Sequence, residues 1–207
     1  MTQRAMDDDL RRRLEQYVKP LYAGLDGVQT FDRVDRLRGH LAALRAGPAG
    51  PPTAVDDVLL ELLLLLHGVV DRLGSLAAGG RLDLFLRSVG LPEELARAAR
   101  TGLGRFREEP RRAEEELLHD ALLLDTAGVV PAVERLMAAG KKRVALGRAL
   151  AQLDPGPAVE RYTTPRGAAL GAARRREAEA WIEDLRRRAA QEASGQLIGT
   201  LPESPSS

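Results

Sequence analysis

Residues 115–128 have the sequence EELLHDALLLDTAG, and this apolar run decides the fold. Its leucines are interrupted by one His-Asp pair, His119-Asp120, and by one further carboxylate, Asp125. A carboxylate among so many leucines is costly to bury unless it has a partner. The run therefore predicts a core helix over residues 113–125. There are two alternatives for its polar residues: they lie at the solvent-exposed edge of the helix, or the side chain of Asp120 points into a central pocket.

A second apolar run, Leu59 to Leu66, also ends on a histidine, His67. The wider stretch from Val55 to Leu73 is apolar almost all round, which is typical of a central buried helix. His67 and Asp71 are four residues apart, so they would share one face of that helix. Two apolar runs that each carry a histidine favour the interpretation with a central pocket.

The remaining sequence also predicts helices. Apolar residues recur at steps of three and four, and no run alternates as a strand does. The last helix is long, roughly residues 168–193, and is rich in Ala, Arg and Glu. We therefore expect an all-α protein with a single multi-helix domain over residues 1–193. The polar segment 194–207 is expected to form a disordered tail.

The composition excludes several classes of function. The 31 Lys and Arg residues against 30 Asp and Glu give a net charge of +1, which gives no general reason to expect nucleic acid or an anionic membrane. Cysteine is absent, so disulfides, thiolate nucleophiles and Cys-ligated zinc are excluded. The N-terminal residues lack the apolar segment of a signal peptide, and no apolar run is long enough to span a bilayer. A cytoplasmic protein is expected.

Taken together and in this order, five stretches resemble the HD-domain superfamily of metal-dependent phosphohydrolases, and in particular a bacterial subgroup of it. The resemblance covers about residues 14–188. The stretches are KPLYAGLDG (19–27), LLHG (65–68), LRSVGLPEEL (86–95), LLHDA (117–121) and YTTP (162–165).

The resemblance implies a metal site held by an early histidine, a His-Asp pair and a late aspartate. His67 matches the histidine of the pair and Asp120 the late aspartate, whereas Arg33 falls where the early histidine is expected and Gly68 replaces the aspartate of the pair. Leu122 also replaces a second acidic residue that is common in the late motif. The metal implied is divalent Mn, Fe, Ni, Co or Mg.

The departures from the family pattern suggest that a fixed cation replaces the metal. Arginine cannot be deprotonated to become a ligand, so we expect Arg33 to pair with Asp120 in a pocket that also contains His67, Asp71 and His119. In that case only His67 and Asp120 remain of the metal ligands, and no metal is bound. An alternative is a remodelled metal site in which Asp71 supplies a displaced carboxylate.

Two classes of function follow. The first is a non-catalytic binding or regulatory protein with an HD-like fold, whose partner is a small anion or another protein and whose candidate anion-binding residues are Arg33, Lys141 and Lys142. The alternative is a phosphohydrolase of phosphomonoesters or nucleotides in which His67 and Asp120 are catalytic. A homodimer through the long C-terminal helix is a further open alternative.

Overall fold

All regular structure in the part of the chain described here is helical, which confirms the predicted all-α class. The computed structural model describes residues 7–23, 31–46, 55–73 and 78–193. Its α-helices are α1 (Asp8–Tyr22), α2 (Asp32–Arg45), α3 (Asp57–Leu66), α4 (Arg81–Ser88), α5 (Glu93–Arg105), α6 (Ala113–Asp125), α7 (Val129–Lys141), α8 (Leu146–Ala151) and α9 (Pro165–Ala193). Short 3-10 helices lie at Val70–Arg72 and Val159–Arg161. The tail predicted for residues 194–207 lies outside the described residues.

Helix α3 is the buried centre of the protein, as its composition predicts. Eight of its residues are buried: Val58, Leu59, Leu60, Leu62, Leu63, Leu64, Leu65 and Leu66. The helix begins at an aspartate cap, because the Asp56 carboxylate accepts hydrogen bonds from the amides of Val58 and Leu59 at 3.0 and 3.1 Å. Such a cap satisfies amides that have no partner within the helix.

The predicted continuation of this helix to Leu73 is wrong, because α3 ends at Leu66. The Tyr22 hydroxyl donates to the carbonyl of Leu65 at 3.1 Å and accepts from the amide of Gly68 at 3.2 Å. The carbonyl of Leu64, which would otherwise bond the Gly68 amide, is 2.6 Å from His67 Nδ1. Side chains therefore occupy the groups that another helical turn would use. A Cβ on Gly68 would lie 2.7 Å from the Tyr22 hydroxyl, so the close approach requires glycine.

Helix α6 has the predicted bounds and packs against α2, α3 and α9. Its first turn buries two carboxylates that both have partners. Glu114 accepts from the amide of Asp56 at 2.7 Å, and Glu115 pairs with Arg105 at 2.7 Å and accepts from the amide of Arg111 at 2.8 Å. These bonds fix the register of α6 against α3 and α5, which in turn fixes where His119, Asp120 and Asp125 point.

A second, smaller apolar cluster lies where the C-terminal part of α9 packs against α7 and α8. Its buried residues are Ala132, Leu150, Leu153 and Ile182. Gly128, at a φ of 105°, allows the chain to turn between α6 and α7. Within the described ranges, none of the helices combines the length and apolar character needed to cross a membrane.

Candidate functional site

An interior ion pair joins the start of α2 to the end of α6. Arg33 Nε lies 2.7 Å from Asp125 Oδ2, and Arg36 Nε lies 3.2 Å from Oδ1 of the same carboxylate. The side chains of Arg33 and Asp125 are 14% and 6% exposed. The expected pair between Arg33 and Asp120 is therefore wrong. Five residues along an α-helix rotate a side chain by about 140°, so Asp125 faces α2 while Asp120 faces away from it.

Two further side chains extend this pair into a network. His40 Nε2 lies 3.7 Å from Asp125 Oδ1. Arg174, from α9, donates to the carbonyl of Leu124 at 2.8 Å, and its guanidinium nitrogens lie 3.2 and 3.4 Å from the ring nitrogens of His40. Two helices, α2 and α9, thus contribute basic groups to a network around one carboxylate of α6.

The basic groups keep Asp125 ionised. Burial by itself raises the pKa of this carboxyl group, but the contact with His40 and the charge of Arg33 outweigh burial, so the pKa of Asp125 lies well below its usual range. Sequence reasoning assigned no role to Arg36, His40 or Arg174. The spacing of Arg33, Arg36 and His40, three and then four residues, places them on one face of α2 and is the signal that was available.

His67 is buried next to this network in a single protonation state. Its side chain is 2% exposed, and its Nδ1 lies 2.6 Å from the carbonyl of Leu64. A carbonyl only accepts, so Nδ1 carries the proton and Nε2 keeps its lone pair. Burial lowers the pKa of His67 to about 4, and the charges of Arg33 and Arg107 act in the same direction. Nε2 has no hydrogen-bond partner among the described residues.

The Asp120 carboxylate is bound by the residues that precede α9. Its Oδ1 accepts from the amide and hydroxyl of Thr163 at 2.8 and 3.0 Å, and its Oδ2 accepts from those of Thr164 at 2.9 and 2.6 Å. Thr164 precedes Pro165, the first residue of α9, and its hydroxyl also accepts from the amide of Gly167 at 2.9 Å. The fully buried Asp120 carboxylate is thus a structural tie between α6 and α9.

The other predicted pocket residues lie elsewhere. The ring nitrogens of His119 lie 3.0 and 3.1 Å from the carbonyls of Phe106 and Arg161, away from Arg33. The exposed Lys141 and Lys142 lie at the C-terminal end of α7. The side chain of Asp71 is outside the described part of the chain. Of the five expected pocket residues, the structure brings Arg33 and His67 into one electrostatic environment, and it separates His119 and Asp120 from them.

A cleft of about 260 Å³ opens beside the ion-pair network. The basic residues in its lining are Arg36, His40 and Arg174, and the first residues of α7 also line it. Asp125, Glu134 and Glu177 are the acidic residues in its lining, of which Glu134 and Glu177 are exposed. The lining therefore combines two arginines and a histidine with three carboxylates and the first turn of a helix, where the macrodipole favours negative charge.

The described donors do not fit a divalent cation. In the described ranges, no group of three or more His, Asp or Glu side chains is arranged to hold a metal ion. Asp120 already accepts four hydrogen bonds, and Arg33 and Arg107 place positive charge near His67. A dication at His67 would meet two fixed cations and gain no help from Asp120.

Comparison with known proteins finds no matching family model, no matching curated protein and no matching solved structure. The resemblance to the HD superfamily therefore rests on the five sequence stretches alone.

Proposed function

We propose that this protein is a non-catalytic, HD-like binding protein in which an arginine replaces the catalytic metal. The observation that carries the proposal is the interior ion pair between Arg33 and Asp125. Arg33 stands at the sequence position where the resemblance implies a histidine ligand, and its charge acts on His67, the histidine that matches the family pair. A guanidinium supplies positive charge without open coordination positions, so it can organise a pocket but cannot activate water as a metal does.

We infer that the ligand is a small anion of the phosphate or phosphomonoester class, bound in the cleft beside this pair. The guanidinium groups of Arg36 and Arg174 offer N–H groups with the geometry that phosphate oxygens accept. The start of α7 adds the amides of Val129 and Val130, which have no acceptor within their own helix. Asp125 does not oppose the ligand with a full charge, because Arg33 neutralises it from the other side.

Titration of the metal-free protein with inorganic phosphate and a panel of phosphomonoesters, followed by calorimetry, tests this proposal. We expect Arg36→Ala to weaken binding about tenfold while the fold is kept, because Arg33 still pairs with Asp125. The matched control is Arg188→Ala, which removes an exposed arginine near the other end of α9 and should leave binding unchanged. Failure to bind any of these anions, or equal loss in both variants, contradicts the assignment.

One observation favours the alternative, a phosphohydrolase. His67 presents a lone pair on a buried Nε2 that has no partner among the described residues, as a general base or a metal ligand would. The metal-dependent form of this alternative is disfavoured, because no three His, Asp or Glu side chains in the described ranges are arranged to hold a metal ion. Assays of phosphomonoesters with Mn²⁺, Ni²⁺, Co²⁺ and Mg²⁺ distinguish the two functions. Turnover that is lost in His67→Ala would support the hydrolase and overturn the non-catalytic proposal.

A further inference from the structure

The cleft beside the ion-pair network has more room than a phosphate group fills. Its volume is about 260 Å³. A water molecule takes roughly 30 Å³ in the liquid, so the few heavy atoms of inorganic phosphate occupy only part of this volume. A ligand that fills the cleft therefore carries a substituent on its phosphate group, and the chemistry of the lining indicates what kind of substituent that is.

Much of the lining is apolar. The apolar side chains in it are those of Leu124, Ala127, Val129, Val130 and Pro131. Val129, Val130 and Pro131 are the first three residues of α7, and Val130 is 65% exposed. None of the described lining residues is aromatic, so this surface offers no ring on which a nucleobase could stack. An apolar substituent gains free energy by covering these side chains, because both surfaces then leave water.

The apolar surface continues out of the cleft along α7. Val130, Val133 and Met137 are 65%, 37% and 62% exposed, and their spacing of three and four residues places them on one face of the helix. The opposite face packs on α8 and α9 through Ala132 and Leu136. Seven residues of helix span about 10 Å, so the apolar surface begins inside the cleft and extends about that far along α7.

The charged residues of the lining suit a ligand with a single phosphate group. Arg36 and Arg174 provide the guanidinium groups that bind it. Glu134 and Glu177 also line the cleft and are exposed, so a second phosphate group would meet negative charge there. Nucleoside diphosphates and triphosphates are therefore disfavoured, and the remainder of the ligand is uncharged.

We propose that the ligand is a monoalkyl phosphate, whose phosphate group is bound by Arg36 and Arg174 and whose alkyl chain lies on α7 from Val130 to Val133. This inference rests on the proposed function and narrows its ligand class. A sugar phosphate of similar size would place hydroxyl groups against the valines, where they lose water without gaining a partner.

Calorimetry on the full chain with inorganic phosphate, ethyl phosphate, hexyl phosphate and a hexose phosphate tests the proposal. The ligands are kept below the concentration at which hexyl phosphate forms micelles. Hexyl phosphate should bind about tenfold more tightly than ethyl phosphate, because its additional methylene groups leave water in part. The hexose phosphate should bind no more tightly than ethyl phosphate.

The variants are judged by the ratio of the two alkyl phosphate affinities, which cancels any change in binding of the phosphate group itself. Val130→Ser and Val133→Ser should each lower this ratio from about tenfold to about threefold, because each removes apolar surface beneath the chain. The matched control is Leu84→Ser, which changes a leucine of α4 that is 60% exposed and should leave the ratio unchanged. Circular dichroism checks that each variant is folded.

The outcomes separate this inference from the proposed function. If neither inorganic phosphate nor any ester binds, the anion site itself is contradicted, and this inference with it. If inorganic phosphate binds but the two alkyl phosphates bind equally, or the hexose phosphate binds most tightly, the anion site stands and only the alkyl phosphate is overturned. An equal fall of the ratio in Leu84→Ser, or binding to phosphatidic acid vesicles without binding of hexyl phosphate, also overturns it.

Discussion

His67 is a buried side chain whose lowered pKa makes the stability of the fold depend on pH. Its Nδ1 proton is held by the carbonyl of Leu64, and its Nε2 lies in a dry environment near Arg33 and Arg107. A positive charge on this buried ring, near two arginines, would be costly in free energy, so the folded protein keeps the ring neutral. The consequence is a stability that depends on acidity.

We predict that the free energy of unfolding falls as the pH drops from 6.5 to 4. The pKa of His67 is lowered to about 4 in the folded protein, whereas an unfolded histidine has a pKa of about 6.5. Between these values the unfolded chain binds a proton that the folded protein does not bind, so acid favours unfolding. Urea unfolding should show a loss of about 2 kcal/mol from this group between pH 7 and pH 5.

The matched variant for this prediction is His67→Asn, whose side-chain amide can still donate to the carbonyl of Leu64. In this variant, the decrease in the free energy of unfolding between pH 7 and pH 5 should be smaller than in the wild type by about 2 kcal/mol. His119→Asn serves as the comparison, because it removes a half-buried histidine and leaves His67 in place. Asp125 does not interfere, because its lowered pKa makes it lose its charge only below the pH range of the measurement. An unchanged pH slope in His67→Asn would contradict the assignment.

At the scale of the helices, the tie between α6 and α9 explains an unusual glycine. A Cβ built on Gly167 collides with the Asp120 carboxylate and lies 3.0 Å from the hydroxyl of Thr164. The carboxylate cannot move aside easily, because it is buried and accepts four hydrogen bonds. The start of α9 therefore requires glycine for space, although a helix normally disfavours it.

We predict that Gly167→Ala lowers the free energy of unfolding by about 2 kcal/mol, because overpacking against a buried hydrogen-bonded group outweighs the gain in helix propensity. The control is Gly39→Ala in the interior of α2, where nothing lies within 4 Å of the added Cβ. That variant should be more stable by up to about 1 kcal/mol. Chemical denaturation of both variants measures the contrast, and equal changes in the two would argue against the tie.

The helices differ in how much of their structure the sequence predicts. The bounds of α6 follow from its own apolar spacing. The end of α3 does not, since the groups that would continue the helix are taken by Tyr22, more than 40 residues earlier in the chain. The partner of Arg33 was mispredicted for a similar reason, because the rotation of α6 is set by contacts of Glu114 and Glu115 with other segments. The Tyr-Thr-Thr-Pro stretch at residues 162–165 is visible in the sequence, but only the folded arrangement brings its two threonines to Asp120.

At the scale of the whole molecule, the ion pair between Arg33 and Asp125 joins parts of the chain that are 92 residues apart. It connects α2 to α6, while Arg174 brings α9 to the same place. Loss of one partner leaves a charge in the interior, which typically costs about 3–5 kcal/mol, whereas loss of both partners costs less. The free energy of global unfolding should therefore decrease when either partner of this pair is replaced.

The most direct test is a double-mutant cycle measured by equilibrium unfolding with Arg33→Met, Asp125→Asn and the combination. The proposed replacement of the metal by Arg33 predicts that each single variant loses about 3 kcal/mol or more, and that the double variant loses at least about 2 kcal/mol less than the sum. Losses that add to within about 0.5 kcal/mol would show that the two charges do not depend on each other, and would contradict the account.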